Sequence, residues 1–360
     1  MIAADTLASA LKLADKVVER RSSLPILTNV RLRATNGELE ITATDLDTEL
    51  VTRLPYGGEP VDTTVGAAQL LQIAQQGGDA SLELSQADGK LRIDGAARFT
   101  LYTLPAEDFP VMTDPEPSTS FEMPPLALLS ALSASAVAVS TEETRYYLNG
   151  VYIQRLGEQL GFTATDGHRL AMVRMPAPEG TDGLQGSIVH RDVVKLLRHM
   201  LEETPAAVKM GFSASKVRFE IGRSVITSKL IYGTFPDYPR IVPKDFKGTI
   251  VLPAEQLLAG CRAAGCLTTE KVRPLQLFTS PARIEAKHPE GGKVEAELAA
   301  EIEGEPPEFV SFNARYFEEI VQQRPFGDVK LSLSDAASPV LVEFEKDPSF
   351  SAVLMPMRVR

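Results

Sequence analysis

LTNVRLRATNGELEITATDLDTELVTRLP, residues 27–55, and LNGVYIQRLGEQLGFTATDGHRLAMVRMP, residues 148–176, align without a gap at a constant shift of 121 residues. Nine of the 29 positions are identical: Leu27, Val30, Leu39, Thr42, Ala43, Thr44, Asp45, Arg53 and Pro55 meet the same residue 121 later. Typical residue frequencies would give about two by chance. The same shift pairs Leu7 with Leu128, Ala10 with Ala131 and Leu11 with Leu132. A third, more eroded copy follows, with Leu257, Leu258 and Cys261 at helical spacing, then 275–278, then Ile284, Glu285 and Ala286. A period near 120 residues is far longer than a solenoid unit and implies three similar whole domains, expected at 1–118, 119–246 and 247–360.

Each copy has the same pattern. Leu7, Leu11, Ala14, Val17 and Val18 predict an opening amphipathic helix. Alternating Val30, Leu32 and Ala34 lead through Asn36-Gly37 to alternating Leu39, Ile41 and Ala43, a strong hairpin signal. A second helix is expected at 67–75, 190–201 and 314–323, and a second hairpin at 90–93 and 99–104, answered by 216–219 and 225–231. Two helices on mostly antiparallel sheet per copy make an α+β fold. The proline-rich stretches 110–125 and 239–253 are expected to be linkers.

With 44% hydrophobic and 24% charged residues, the 360-residue chain has ordinary globular composition. Its opening stretch, MIAADTLASALKLADKVVERR, lacks the charged-then-apolar order of a signal peptide, and no apolar run approaches a membrane span. Cys261 and Cys266 are five apart at a helix and its exit, so they point to different faces. Neither a disulfide nor a metal site is expected, and a reducing cytoplasm fits. A net charge of -11 argues against broad nucleic-acid coating but leaves room for a local basic surface. Two such surfaces are suggested by spacing: Lys12, Lys16 and Arg20 at i, i+4, i+8, and Arg191, Lys195 and Arg198 at i, i+4, i+7.

Residues 145–176, with RYYLNG and ATDGHRL, closely resemble the second domain of the bacterial beta sliding clamps, the beta subunits of DNA polymerase III. RSSLPILTN at 21–29, GTFPDYPRIVP at 233–243 and LMPMRV at 354–359 resemble other parts of that family, so the likeness spans all three copies. The resemblance implies three clamp domains, a head-to-tail homodimeric ring, and double-stranded DNA held through the hole without sequence preference. It also implies a cytoplasmic, nucleoid-associated protein with no cofactor, whose partners are the clamp loader, the polymerase III alpha subunit and other proteins carrying the clamp-binding motif.

Residue by residue, the resemblance places further DNA contacts at Arg21, Tyr146 and Tyr147. Glu142 stands where the best-known member has an amide, so that contact is not carried over. The subunit interface is expected at Phe99 and Leu101 of copy one and at Cys266 and Leu267 of copy three. A peptide pocket is expected from Leu148, Thr165, Gly167, His168, Arg169 and Leu170, together with Pro236, Arg240 and Ile241. Ser338, Val353, Met355, Pro356, Met357 and Arg358 complete it. Apolar and methionine side chains there suit varied ligands, and Arg169, Arg240 and Arg358 are expected at the rim.

The rival reading is an enzyme centred on Asp166, His168 and Arg169. Copy one carries Asp45, Leu46, Asp47 and Thr48 at the same places, and no serine or cysteine nucleophile arrangement accompanies His168. His190, His199 and His288 lack metal-ligand spacing, and no phosphate-binding glycine loop is present. A non-enzymatic interaction scaffold that does not encircle DNA is the better alternative.

Overall fold

A computed structural model describes residues 1–113, 116–202, 204–267, 270, 272–288 and 292–357. The repeat read in the sequence recurs in the backbone. Strands Asn29–Thr35, Glu38–Thr44 and Thr48–Pro55 return, at the same shift and with the same bounds, as Gly150–Leu156, Gln159–Thr165 and Arg169–Pro176. Asn36 and Gly37 both take positive φ, 52° and 81°, as a two-residue hairpin turn requires. Among the described residues there are six α-helices: α1 Ala4–Ala14, α2 Ala67–Gly77, α3 Pro125–Ala136, α4 Arg191–Leu201, α5 Ala254–Gly265 and α6 Ala314–Val321. All strand pairs among them are antiparallel.

The chain divides into two compact units rather than three. One comprises Met1–Leu128, Pro178–Gly183 and Lys195–Leu230, and the other Leu129–Ala177, Leu184–Val194 and Ile231–Arg360. The physical reason is that sheets run across the borders between repeats. In the first unit Thr48–Pro55 of copy one pairs with Ser224–Lys229 of copy two inside an eight-stranded sheet. Hydroxyl pairs reinforce this seam, Thr52 with Ser224 at 2.9 Å and Thr48 with Ser228 at 3.3 Å. In the second unit Arg169–Pro176 of copy two pairs with Phe350–Leu354 of copy three inside a nine-stranded sheet.

Each unit also holds a separate four-stranded sheet. In the first unit this sheet ends on Arg98–Tyr102, which pairs only with Lys90–Asp94 among the described residues. In the second it ends on Lys293–Glu297, which among the described residues pairs only with Ala282–Lys287. Helices cover apolar sheet faces as their patterns require. α1 and α2 pack together and bury Leu7, Leu11, Leu70 and Ala74, and α5 and α6 bury Leu257, Cys261, Phe317 and Ile320.

Two expectations need correction. α1 ends at Ala14, so Lys16 and Arg20 do not share a helical face with Lys12. The amides of Lys16 and Val17 bond three residues back, to Leu13 and Ala14, and the chain leaves the helix so that the adjacent β-branched Val17 and Val18 are both buried. The linkers are also shorter than their prolines suggest. Residues 110–125 include the strand Thr119–Met123, with Pro125 as the first residue of α3, where its missing N–H costs nothing. Residues 239–253 include the strand Gly248–Pro253.

Candidate functional site

The loop 165–169 is built by its own side chains. Thr165 Oγ1 accepts from the Gly167 amide at 3.2 Å and donates to the Arg169 carbonyl at 2.7 Å. Asp166 Oδ1 accepts from the amides of His168 (2.9 Å) and Arg169 (3.0 Å), and its Oδ2 accepts from Arg169 Nε at 3.1 Å. Copy one folds its counterpart identically: Thr44 Oγ1 bonds the Leu46 amide and the Thr48 carbonyl, and Asp45 Oδ1 the amides of Asp47 and Thr48. An aspartate doing the same work in both copies is an organiser of the turn, which removes it from the role of general base or its orienter.

From this loop the strand Arg169–Pro176 pairs Leu170 with Val353 and Arg169 with Leu354. The ladder continues as Met355 N donates to the His168 carbonyl at 2.9 Å, and Met357 N donates to the Ser311 carbonyl at 2.7 Å. Segments nearly 190 residues apart in sequence, as expected, thus form one wall. Its floor is a buried apolar cluster of Leu148, Leu170, Met172, Ile188, Phe235, Tyr238 and Val353. Tyr152 and Phe235 stack at 4.7 Å, and the Tyr238 hydroxyl accepts from Gln154 Nε2 at 2.7 Å. Above the floor Ile241 is 45% and Met355 38% exposed, apolar surface left open to a partner. Pro236, Pro356 and Met357 are half-buried, and Ser338 turns the chain by bonding Asp335 two residues before the strand Val340–Phe344. The expected contribution of Arg358 lies outside the described residues.

One expectation fails here. Arg240 is a rim arginine, 85% exposed and paired with Asp237 at 2.7 Å, but Arg169 is only 7% exposed. A guanidinium is buried only with partners. Besides Asp166, Arg169 meets Glu319 of α6, Nη1 to Oε2 at 2.6 Å, and lies 4.4 Å over the ring of Tyr316, on which His168 also stacks. Glu319 accepts from Arg315 Nε at 2.8 Å as well. Burial pushes the Glu319 carboxyl up, but Arg315 and Arg169 outweigh it and hold it below the usual carboxylate range. Burial, with Asp166 nearby, raises the Tyr316 phenol. Tyr316 and Glu319 were missed in the sequence because they sit three apart on a helix with no counterpart motif in the other copies.

Beside the loop, Arg145 makes two bonds to the Glu142 carboxylate, at 2.7 and 2.8 Å, and a third to the Asp166 carbonyl at 3.1 Å. The hydrogen bond to Arg145 holds Glu142 below the usual carboxylate range. Tyr146 and Tyr147 follow, edge to face at 5.8 Å, Tyr146 half exposed and Tyr147 half-buried. Arg21, Lys12, Lys16 and Arg20 are exposed in the first unit. α4 has the expected basic face in Lys195 and Arg198, opposite buried Val193, Val194 and Leu197, whereas Arg191 is half-buried and bonds the Ser140 carbonyl at 3.3 Å. Phe99 and Leu101 are half-buried on the open-edged strand Arg98–Tyr102. Cys266 caps α5 and is exposed, and Leu267 packs against Gly292 where the other open-edged strand begins.

Three family models match the chain end to end: DNA polymerase III beta subunit N-terminal domain over residues 1–113, central domain over 122–237 and C-terminal domain over 239–358. The chain belongs to the DNA polymerase III beta subunit family, the beta sliding clamps. Its three repeats are the family's three clamp domains, of mixed α and β structure with antiparallel sheets. A beta sliding clamp of Caulobacter vibrioides is 38% identical, with 98% of each chain covered. A crystal structure of the Caulobacter crescentus beta sliding clamp with bound PEG superposes with a TM-score of 0.95 at 37% identity, covering 99% of this chain and 98% of that one. A sliding clamp of Bartonella birtlesii bound to griselimycin gives a TM-score of 0.95 at 33% identity and the same coverage. The family is a non-enzymatic processivity factor, and the chain functions as a DNA sliding clamp. No helix among the described residues is long and apolar enough to cross a membrane.

Proposed function

We propose that two copies of the chain, each with domains at 1–118, 119–246 and 247–360, close head to tail into a ring around duplex DNA. The observation that carries this reading is the pair of open sheet edges. Within the chain the same seam forms twice, joining the last strand of one repeat's first sheet to the last strand of the next repeat's second sheet. Hairpin register puts Lys293–Glu297 in the role of Thr48–Pro55 and Arg98–Tyr102 in that of Ser224–Lys229. The seam made a third time, between copies, is heterologous and generates a ring when its rotation closes. Phe99 and Leu101, with Cys266 and Leu267, flank those edges and would bury on association.

A closed ring stays on DNA by topology, so its contacts need only be weak and indifferent to sequence. Lys12, Lys16, Arg20 and Arg21, Lys195 and Arg198, and Tyr146 and Tyr147 supply phosphate and backbone contacts of that kind. The groove between the loop 165–170 and residues 353–357 takes a short apolar-anchored peptide from each tethered enzyme. Each buried anchor contributes about 1.5–3 kcal/mol before ordering costs, which suits exchangeable, micromolar binding. The clamp loader, the polymerase III alpha subunit and other proteins bearing the motif are its partners, in the cytoplasm at the nucleoid. Retention on nicked circular DNA tests the ring. Clamps placed there by a loader should survive gel filtration and be lost when the circle is linearised, whereas equal retention on both forms would favour a scaffold that does not encircle DNA.

A further inference from the structure

Arg169 is an unusual residue for a binding groove, because a charge at 7% exposure binds nothing unless something else fixes it first. Three groups do so, and two come from α6 of the third repeat. Asp166 takes Nε, the Tyr316 ring lies under the guanidinium plane, and Glu319 faces Nη1 at 2.6 Å. That last approach is close but off-line: Nη1 is buried and makes no hydrogen bond among the described residues. Glu319 is itself held, because Arg315, one turn earlier on α6, grips its other oxygen at 2.8 Å. The His168 ring stacks on Tyr316, so His168, whose carbonyl bonds Met355, and Arg169 both bear on the same patch of α6.

We propose that Glu319 is a positioning residue for the groove: gripped by Arg315, it latches Arg169 and the loop 165–169 of the second repeat onto α6, so that the wall is formed before a peptide arrives. This rests on the peptide-groove reading. A preformed wall lowers the ordering cost of binding. Without the carboxylate, Arg169 keeps Asp166 and Tyr316 but is under-compensated in a buried place, and the loop gains freedom that a peptide must then remove.

The test is titration of a labelled Gln-Leu-x-Leu-Phe type peptide by fluorescence anisotropy, on the full-length chain, with a thermal melt of each variant. Glu319→Gln should weaken binding about tenfold, within the range of coupling between contacting charged residues, with its melt little changed. Arg315→Gln, which frees the carboxylate but keeps it, should lose less, and Glu319→Asp should recover part of the loss. In an Arg169→Lys background, Glu319→Gln should cost nothing further, whereas a merely helical role for Glu319 would cost the same in both backgrounds. Full affinity in Glu319→Gln, or additive losses in the double variant, overturns the proposal. If Glu319→Gln does not fold, the Arg315→Gln and Arg169→Lys pair makes the same comparison on a folded chain. If the unaltered chain does not bind the peptide, or a folded Met357→Ala, Arg240→Ala variant binds it undiminished, the groove reading itself fails.

Discussion

Gly167 takes φ +88°, and a Cβ built on it would lie 2.6 Å from Arg145 Nη1. Its counterpart in copy one is Leu46, which holds φ 76° in an identically bonded loop. A side chain is therefore tolerated in this conformation at the cost of left-handed strain, and a Cβ at 167 would in addition have to shift the tip of the Arg145 side chain. Gly167→Ala should push Arg145 off the Asp166 carbonyl, at a cost of about 1–3 kcal/mol for strain in this region. It should also weaken peptide binding, and urea unfolding with the same anisotropy titration would measure both. At this scale the sequence was only partly legible. The resemblance names Leu148, Leu170 and Val353 of the apolar floor, and Met355, but not Met172, Ile188, Phe235 or Tyr238, and it puts Arg169 at the rim. Its burial depends on Tyr316 and Glu319, and nothing in the spacing of residues 145–176 says which helix from 140 residues further on will cover it.

Among elements, strands were more legible than helix ends. Period-two alternation fixes a strand's face, and Asn-Gly fixes its hairpin, so both survive intact in the backbone. Helix ends are decided by whether the next side chains can be buried, which is why α1 stops short of Lys16 while α4 carries its basic residues to the end. The consequence for DNA is specific. On α4 the stripe consists of Lys195 and Arg198, because Arg191 is turned to the Ser140 carbonyl. Lys195→Ala with Arg198→Ala should weaken direct DNA binding and reduce its salt slope by about two, one for each phosphate no longer neutralised. Adding Arg191→Ala should contribute little to that slope and more to instability. Binding measured between 50 and 200 mM salt, with a melt, separates the two, and an unaltered slope would place the DNA-facing charge on other elements.

For the whole molecule, three repeats were legible from one ungapped alignment, but two compact units were not, because strand pairing between repeats leaves no mark in either sequence alone. The seams nevertheless make a prediction about the third. At the first seam Val51 faces Val225, and the hairpin register, with Glu285 answering Thr42 and Asp94 answering Glu220, places Glu295 and Arg98 in those roles. In a Cys266→Ala background, Arg98→Cys with Glu295→Cys should form covalent dimers under mild oxidation, since directly opposed Cα atoms lie about 4.5–5.5 Å apart. Either cysteine alone should not, and monomer alone from the double variant, or a monomeric unaltered chain on sedimentation, would argue against the ring. The seams also invert a common expectation about domain borders. Linkers are where proteases cut and where modules come apart, but here a nick between 113 and 118 would sever the chain without freeing the first repeat. Its strand Thr48–Pro55 would remain bonded along its length to Ser224–Lys229. The fragments would travel together until denatured, and the amides of the seams would exchange with heavy water as slowly as those of the domain centres.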